Sequence, residues 1–311
     1  MTFSLHKLGL ATALVALIAG TAVAQEAPPP PRPENLQGDE PAAPGDAVTG
    51  DPAEAPTEPD LPPAPLTNGL AGPYLAARIA AVENDFIAAA RYFRQAVAHD
   101  PGDPYLQDSA LVAMISAGQM DGALELAQQM AADEDGGTEL AGLVLRARLA
   151  QDEDWPGLLA EIARGAPAED TAESGDLLDG MLAAWAKLGA GNATEALSDF
   201  EAMRRVPGAA GMLDYQLAMA RAMVGDYEGA EQLLQAGDAS GHLRGVLAQA
   251  QVLARLDRRD EALALLDKVA GGGSEPSIIA LRKHLEAGDE IGFDVVASPR
   301  DGIAQVFLTF A

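Results

Sequence analysis

Five alanines, Ala89, Ala123, Ala196, Ala230 and Ala262, with Leu158 in the remaining slot, recur along this chain at intervals of 34, 35, 38, 34 and 32 residues. A period near 34 in an apolar, helix-forming sequence points to a stack of helix pairs, because a short pair buries its apolar face only against the next pair. The first period, GPYLAARIAAVENDFIAAARYFRQAVAHDPGD, shows how a unit is built. Leu75, Ile79 and Val82 mark one apolar face, and Phe86, Ala89, Ala90, Phe93, Ala96 and Val97 mark the next. Asn84 and Asp85 punctuate the two helices, and Asp100, Pro101 and Gly102 end the second. Helices of about 12 to 15 residues are marginal alone in water, so stacking must supply their stability.

Composition agrees with close helix packing. The chain is 48% apolar but only 5% aromatic, so its interior is built from small side chains. Its formal charge of −27 is spread along the length: residues 1 to 68 carry two Lys/Arg and nine Asp/Glu, the remainder 18 and 38. Nucleic acid is excluded as a partner class, since binding it requires clustered cations against phosphates. The acidic surface serves solubility and attracts basic partners. There is no cysteine, which excludes a disulfide framework, a thiol nucleophile, a thiolate zinc site and a lipid-modified cysteine.

Compartment is read from the first 24 residues. His6 and Lys7 lead into an apolar run from Leu8 to Ala19, and Ala22 and Ala24 form a small-residue cleavage site. The run falls short of the ~20 residues that span a bilayer, so a cleaved signal peptide over 1–24 is expected rather than an anchor, leaving no transmembrane helix in the mature chain. In a bacterium the destination is the periplasm or beyond. Residues 25–68 read as a disordered linker, because thirteen of the 21 prolines lie between Pro28 and Pro65 among acidic and small residues with no hydrophobic period. Pro28 to Pro31 are expected to be locally extended. The segment is either a passive spacer or a proline-motif ligand.

From Asn84 to Pro101 the chain resembles the second half of a tetratricopeptide repeat (TPR), with Ala89, Phe93, Ala96 and Pro101 on the small, aromatic, small and proline positions. The register continues through Gly118, Ala123 and Ala127, then Trp155, Leu158 and Ile162, then Gly191, Ala196 and Phe200. It goes on through Gly225, Asp226, Tyr227, Ala230 and Leu234 to Ala262 and Leu266. Six units are thereby placed over residues 69–275. The resemblance implies an all-α fold, a right-handed superhelical solenoid of antiparallel helix pairs. The first-helix tryptophan, glycine and tyrosine of the family are mostly absent, and Leu158 stands where the family has its key alanine. Units three and four are separated by the longer stretch Ala166 to Gly175, where a distorted junction is expected.

Past residue 275 the pattern changes, and 276–311 reads as a degenerate seventh unit followed by the start of a truncated helix. Ser277 to Ala287 resembles another first helix, closed by Gly288. Ser298, Pro299 and Asp301 then form a capping signature for a new helix whose apolar positions Ile303, Val306, Phe307 and Phe310 share one face. A solenoid ordinarily ends in a unit with a polar outer face, so the sequence reads as the amino-terminal part of a longer repeat protein.

Chemistry-bearing patterns are sparse. His99, His242 and His284 have no metal-ligand spacing. Asp133, Glu134 and Asp135 before Gly136 and Gly137 lack the closing glutamate of a calcium loop and read as a solvated turn. Gly189 and Gly191 follow no strand, so they read as an interhelical turn rather than a phosphate loop. No catalytic residue, metal site or cofactor is assigned, and a non-enzymatic role is expected. In TPR proteins the first helices line a concave groove. Carried over by register, that groove comprises Arg78, Tyr105, Val112, Leu178, Met181, Trp185, Tyr215, Met219, Met223, Arg244 and Arg255. Trp185 and the three methionines suit an extended segment or helix of a protein partner, although such stripes also serve simply as packing between repeats. The expectation is an adaptor or scaffold of the cell envelope. Its alternative is a docking or regulatory arm of a larger envelope-assembly, polymer-secretion or enzyme protein whose active region lies beyond residue 311.

Overall fold

A computed structural model describes residues 69–133, 137–165, 174–236, 242–270 and 275–310. The segments 1–24 and 25–68, expected from the sequence to be a signal peptide and a disordered linker, lie outside the described residues, as do the centre of the Asp133–Gly137 turn and most of the Ala166–Gly175 stretch. Fourteen helices and no strand are found among the described residues. They are α1 (Ala71–Val82), α2 (Phe86–His99), α3 (Pro104–Ser116), α4 (Met120–Ala132), α5 (Glu139–Gln151), α6 (Trp155–Gly165) and α7 (Ser174–Gly189). There follow α8 (Ala193–Met203), α9 (Ala210–Met223), α10 (Tyr227–Ala236), α11 (Leu243–Arg255), α12 (Arg259–Ala270), α13 (Pro276–Ala287) and α14 (Pro299–Thr309).

Each helix from α1 to α13 packs on its neighbours in sequence, and α3, α9 and α11 also touch the next odd-numbered helix. This is the contact pattern of a helical repeat solenoid. The ladder residues Ala89, Ala123, Leu158, Ala196, Ala230 and Ala262 have no solvent exposure. They sit one turn into the even-numbered helices, where a small side chain lets the adjacent backbone approach.

The ladder has a backbone counterpart five residues earlier in every unit. Asn84, Gly118, Glu153, Gly191, Gly225 and Asp257 all adopt a left-handed conformation, with φ of 61, 71, 57, 86, 89 and 60°. The next residue donates its N–H five residues back: Asp85 to Ala80, Gln119 to Met114, Asp154 to Leu149, Asn192 to Lys187, Asp226 to Arg221 and Arg258 to Leu253, all at 2.8–2.9 Å. That bond closes the Schellman motif, which satisfies the last carbonyls of the first helix and turns the chain. Asp85, Asp154 and Asp226 then cap the second helix by accepting from Ala88, Gly157 and Gly229. Glycine serves three of the six left-handed sites. Asn84, Glu153 and Asp257 hold the same geometry with side chains, which is why the turn is hard to recognise from residue type alone.

On α1 the structure differs from the simplest reading of the apolar face. Ala77 and Ala80 are buried, whereas Leu75, Ile79 and Val82 are 58, 60 and 79% exposed. The small side is the one that permits contact with α2, so the larger residues point outward.

The seventh unit departs from the rest. α13 ends like the others, with Gly288 at φ 82° and Asp289 N–H donating to the His284 carbonyl at 3.1 Å. Arg259 donates to the Leu285 and Asp289 carbonyls at 3.1 and 2.8 Å, fixing this end against α12. No second helix follows. The chain instead runs as an irregular strap over residues 289–298 into α14, which packs against α5, α7 and α9. Ser298 accepts from the Asp301 N–H and Asp301 accepts from the Ala297 N–H, each at 3.2 Å, so the capping pattern starts the helix at Pro299.

Candidate functional site

One helix that touches α5, α7 and α9 together defines a face common to the first helices. Measured from the left-handed turn residue, the sixth position upstream is Arg78, Val112, Ala147, Trp185, Met219 and Gln251 in successive units. The tenth is Tyr74, Asp108, Leu143, Met181, Tyr215 and Leu247. Of these rows, Trp185 meets Gly302, Gln251 meets Asp294 and Tyr215 meets Gln305, which ties them to the strap and α14.

At the centre, Gly302 of α14 lies flat on the Trp185 indole; a Cβ at that glycine would overlap the ring. Trp185 has no exposure, meets Phe200 edge-on at 5.7 Å between centroids and donates its indole N–H to Gln216 Oε1 at 2.9 Å. Ile303, Val306 and Phe307 supply the buried apolar side of α14.

Polar attachment comes from two further glutamines. Gln251 donates to Asp294 Oδ1 at 2.5 Å and accepts from the Asp294 N–H at 3.0 Å, gripping the strap by backbone and side chain at once. Gln305 donates to the Val295 carbonyl and accepts from the Tyr215 hydroxyl, both at 2.9 Å. Buried amides of this kind stabilise only when satisfied, and each of these two uses both ends. Sequence reasoning missed Gln216, Gln251, Gln305 and Gly302. A polar residue recurring on an otherwise apolar first-helix face was the one available signal.

Burial pushes the Tyr215 phenol up to about 12, with the nearby Arg244 charge opposing the shift. A raised folded-state value means the folded protein holds this proton more tightly than the unfolded chain. The resulting stability is fully present below pH ~10 and is lost as pH rises through 12. Unfolding measured from pH 9 to 12 should therefore show a smaller alkaline loss in Tyr215→Phe than in the parent; identical slopes would contradict the buried, hydrogen-bonded phenol.

The remaining residues carried over by register are distributed as follows. Met181 and Met219 are fully buried, while Leu178 and Met223 are half-buried against the main core. Val112 is half-buried on α3. Arg78 is exposed on α1 and donates to the hydroxyls of Tyr74 and Tyr105 at 3.1 and 3.2 Å, and Tyr105 is 53% exposed. Arg255 is exposed, lies over the Tyr227 ring at 5.3 Å and pairs with Glu290 at 3.4 Å. Arg244 is exposed at the start of α11. Trp185 and Tyr215 are thus brought together under α14, whereas Arg78, Tyr105 and Val112 belong to a separate stretch of the same register on α1 and α3.

A buried ion pair lies beside this face. Arg146 of α5 reaches Asp179 of α7 at 2.6 Å, with side chains 8 and 22% exposed. The guanidinium runs past Gly142 and Gly165, where a Cβ at Gly165 would collide with it. It joins the two units flanking the longest step of the ladder.

Among the described residues no group of three or more His, Asp or Glu side chains is arranged to hold a metal, and no helix is long and apolar enough to cross a membrane. No protein-family model matches the chain, and no curated protein matches it. The class defined by the structure is an all-helical chain of consecutive, neighbour-packed helices compatible with a repeat solenoid, with one helix laid back across its first-helix face.

Proposed function

We propose that this chain is a TPR-like scaffold: a right-handed superhelix of antiparallel helix pairs that binds a protein or peptide partner on its first-helix face, without catalysis, in the bacterial periplasm. The observation that supports the reading is α14 itself, an amphipathic helix seated across α5, α7 and α9. A face that accommodates one such helix has the shape and chemistry for helix-in-groove recognition. The central part is taken in cis, which leaves the amino-terminal continuation for a partner. There Leu75, Ile79 and Val82 form an exposed i, i+4, i+7 stripe beside Arg78 and Tyr105. The apolar row supplies contact area, and the arginine framed by two tyrosines supplies a positive charge for an acidic group.

The signal-peptide pattern at Ala22 and Ala24 supports the location. The test is affinity capture from an envelope fraction with the parent chain and with Ile79→Ser and Arg78→Ala. Both variants alter exposed side chains, so melting temperatures should match the parent while a captured partner is lost. Undiminished capture by both variants would refute this surface.

A further inference from the structure

Where α14 ends, a cavity of about 410 Å³ opens between the amino-terminal turns of α9 and α11, the carboxy-terminal part of α10 and the last turn of α14. Met212, Leu233, Leu234 and Leu308 are its apolar lining residues, and Tyr215 and Gln305 line it as well. The volume falls within the range of pockets that hold small organic ligands.

Its charged groups are unequal. Asp214 is already paired with Arg204. The His242 ring accepts the Gly245 N–H at 3.0 Å as the cap of α11 and meets Tyr215 edge-on at 4.9 Å. Arg244 has no ion-pair partner among the described residues, whereas Arg146, Arg148, Arg164, Arg204, Arg221, Arg255, Arg258, Arg282 and Arg300 all face carboxylates. Arg78, Arg91, Arg94, Arg205 and Arg259 likewise face no carboxylate among the described residues, but Arg244 is the arginine that lines this largely apolar cavity, so its guanidinium is the cation placed to meet an anion there. It offers five donors in a fork that matches a carboxylate.

We infer that this cavity is a binding site for a small amphipathic monoanion, an alkyl or aryl carboxylate, whose apolar body lies among Met212, Leu233 and Leu308 and whose carboxylate pairs with Arg244. The Tyr215 hydroxyl is committed to Gln305, so the headgroup is read by charge at the rim and the tail by size. Among the described residues of the cavity wall the carboxylate is Asp214, which is taken by Arg204, so a cationic or zwitterionic amphiphile finds no free carboxylate among them.

The inference is tested by calorimetric titration of the full chain with octanoate, octan-1-ol and octyltrimethylammonium. Octanoate is expected to bind at least about tenfold more tightly than octan-1-ol, and the ammonium compound not to bind. Arg244→Gln, on an exposed side chain, should lose that preference while keeping the weak alcohol affinity. Gly211→Phe fills the cavity from α9 at a position where an added Cβ meets no atom within 4 Å, so the variant should fold and bind neither probe. Absence of octanoate binding at millimolar concentration, equal affinity for octanoate and octan-1-ol, an unchanged Arg244→Gln, or undiminished binding by Gly211→Phe would each overturn the assignment. The outcome is independent of protein capture through Arg78 and Ile79, which lie on α1.

Discussion

Trp185→Ala is expected to lower the unfolding free energy by about 3–5 kcal/mol, the range for removing a large aromatic from a close-packed interior. Three losses coincide. The fully buried indole leaves a void beside Phe200, Gln216 Oε1 loses its only hydrogen-bond donor, and Gly302 is left facing empty space. The last is specific to this protein, because a glycine contributes contact there only while a flat ring lies beneath it. Hydrogen exchange should show α14 opening more readily than α3 or α4 in the variant, since α14 is held to α7 through this contact. Trp185→Phe retains most of the volume but leaves the Gln216 amide unsatisfied at both ends, its Nε2 being without a partner already, and should cost about 1–3 kcal/mol. Urea unfolding compares the two. A parent-like Trp185→Ala midpoint would show that the residue is not a keystone of the α14 contact.

Asp179→Ala is the second large effect, with about 3–5 kcal/mol expected. The substitution strands the Arg146 guanidinium, of which Nε is already buried without a partner, in a site 8% exposed. Replacing both members should be far milder than removing one, because the cost lies in the uncompensated charge rather than in the lost attraction. Arg146→Met with Asp179→Leu is therefore expected to recover most of the stability. If the double variant were as unstable as Asp179→Ala, the pair would matter through packing or geometry rather than through charge.

The features legible in the sequence are those set by neighbours. The ladder from Ala89 to Ala262 is local to each unit, and it coincides with the left-handed residues five positions earlier. The capping signature at Ser298, Pro299 and Asp301 likewise involves residues within one turn. The seat of α14 was not legible, because Tyr215 and Gln305 are 90 residues apart and Gln251 and Asp294 are 43 apart. Hydrophobic periodicity says that Ile303, Val306 and Phe307 share a side of a helix, but contains nothing about which helix receives it. The first-helix row from Leu178 to Met223 could be named by register, yet register alone does not distinguish an open surface from one covered in cis. Leu75, Ile79 and Val82 show the complementary case, since size suggests an interior face and the alanines on the other side of α1 take that place.

A chain whose units meet only their neighbours can order itself progressively from one end. The return of α14 across α5, α7 and α9 removes that freedom from the middle of this one. During synthesis from the amino terminus, the Trp185 surface is made long before Gly302 arrives to cover it. Until then the Trp185 face lacks its cover and is open to other apolar surfaces. Covering that surface therefore depends on residues more than a hundred positions further along the chain, so the middle of the array is finished only after α14 has been made.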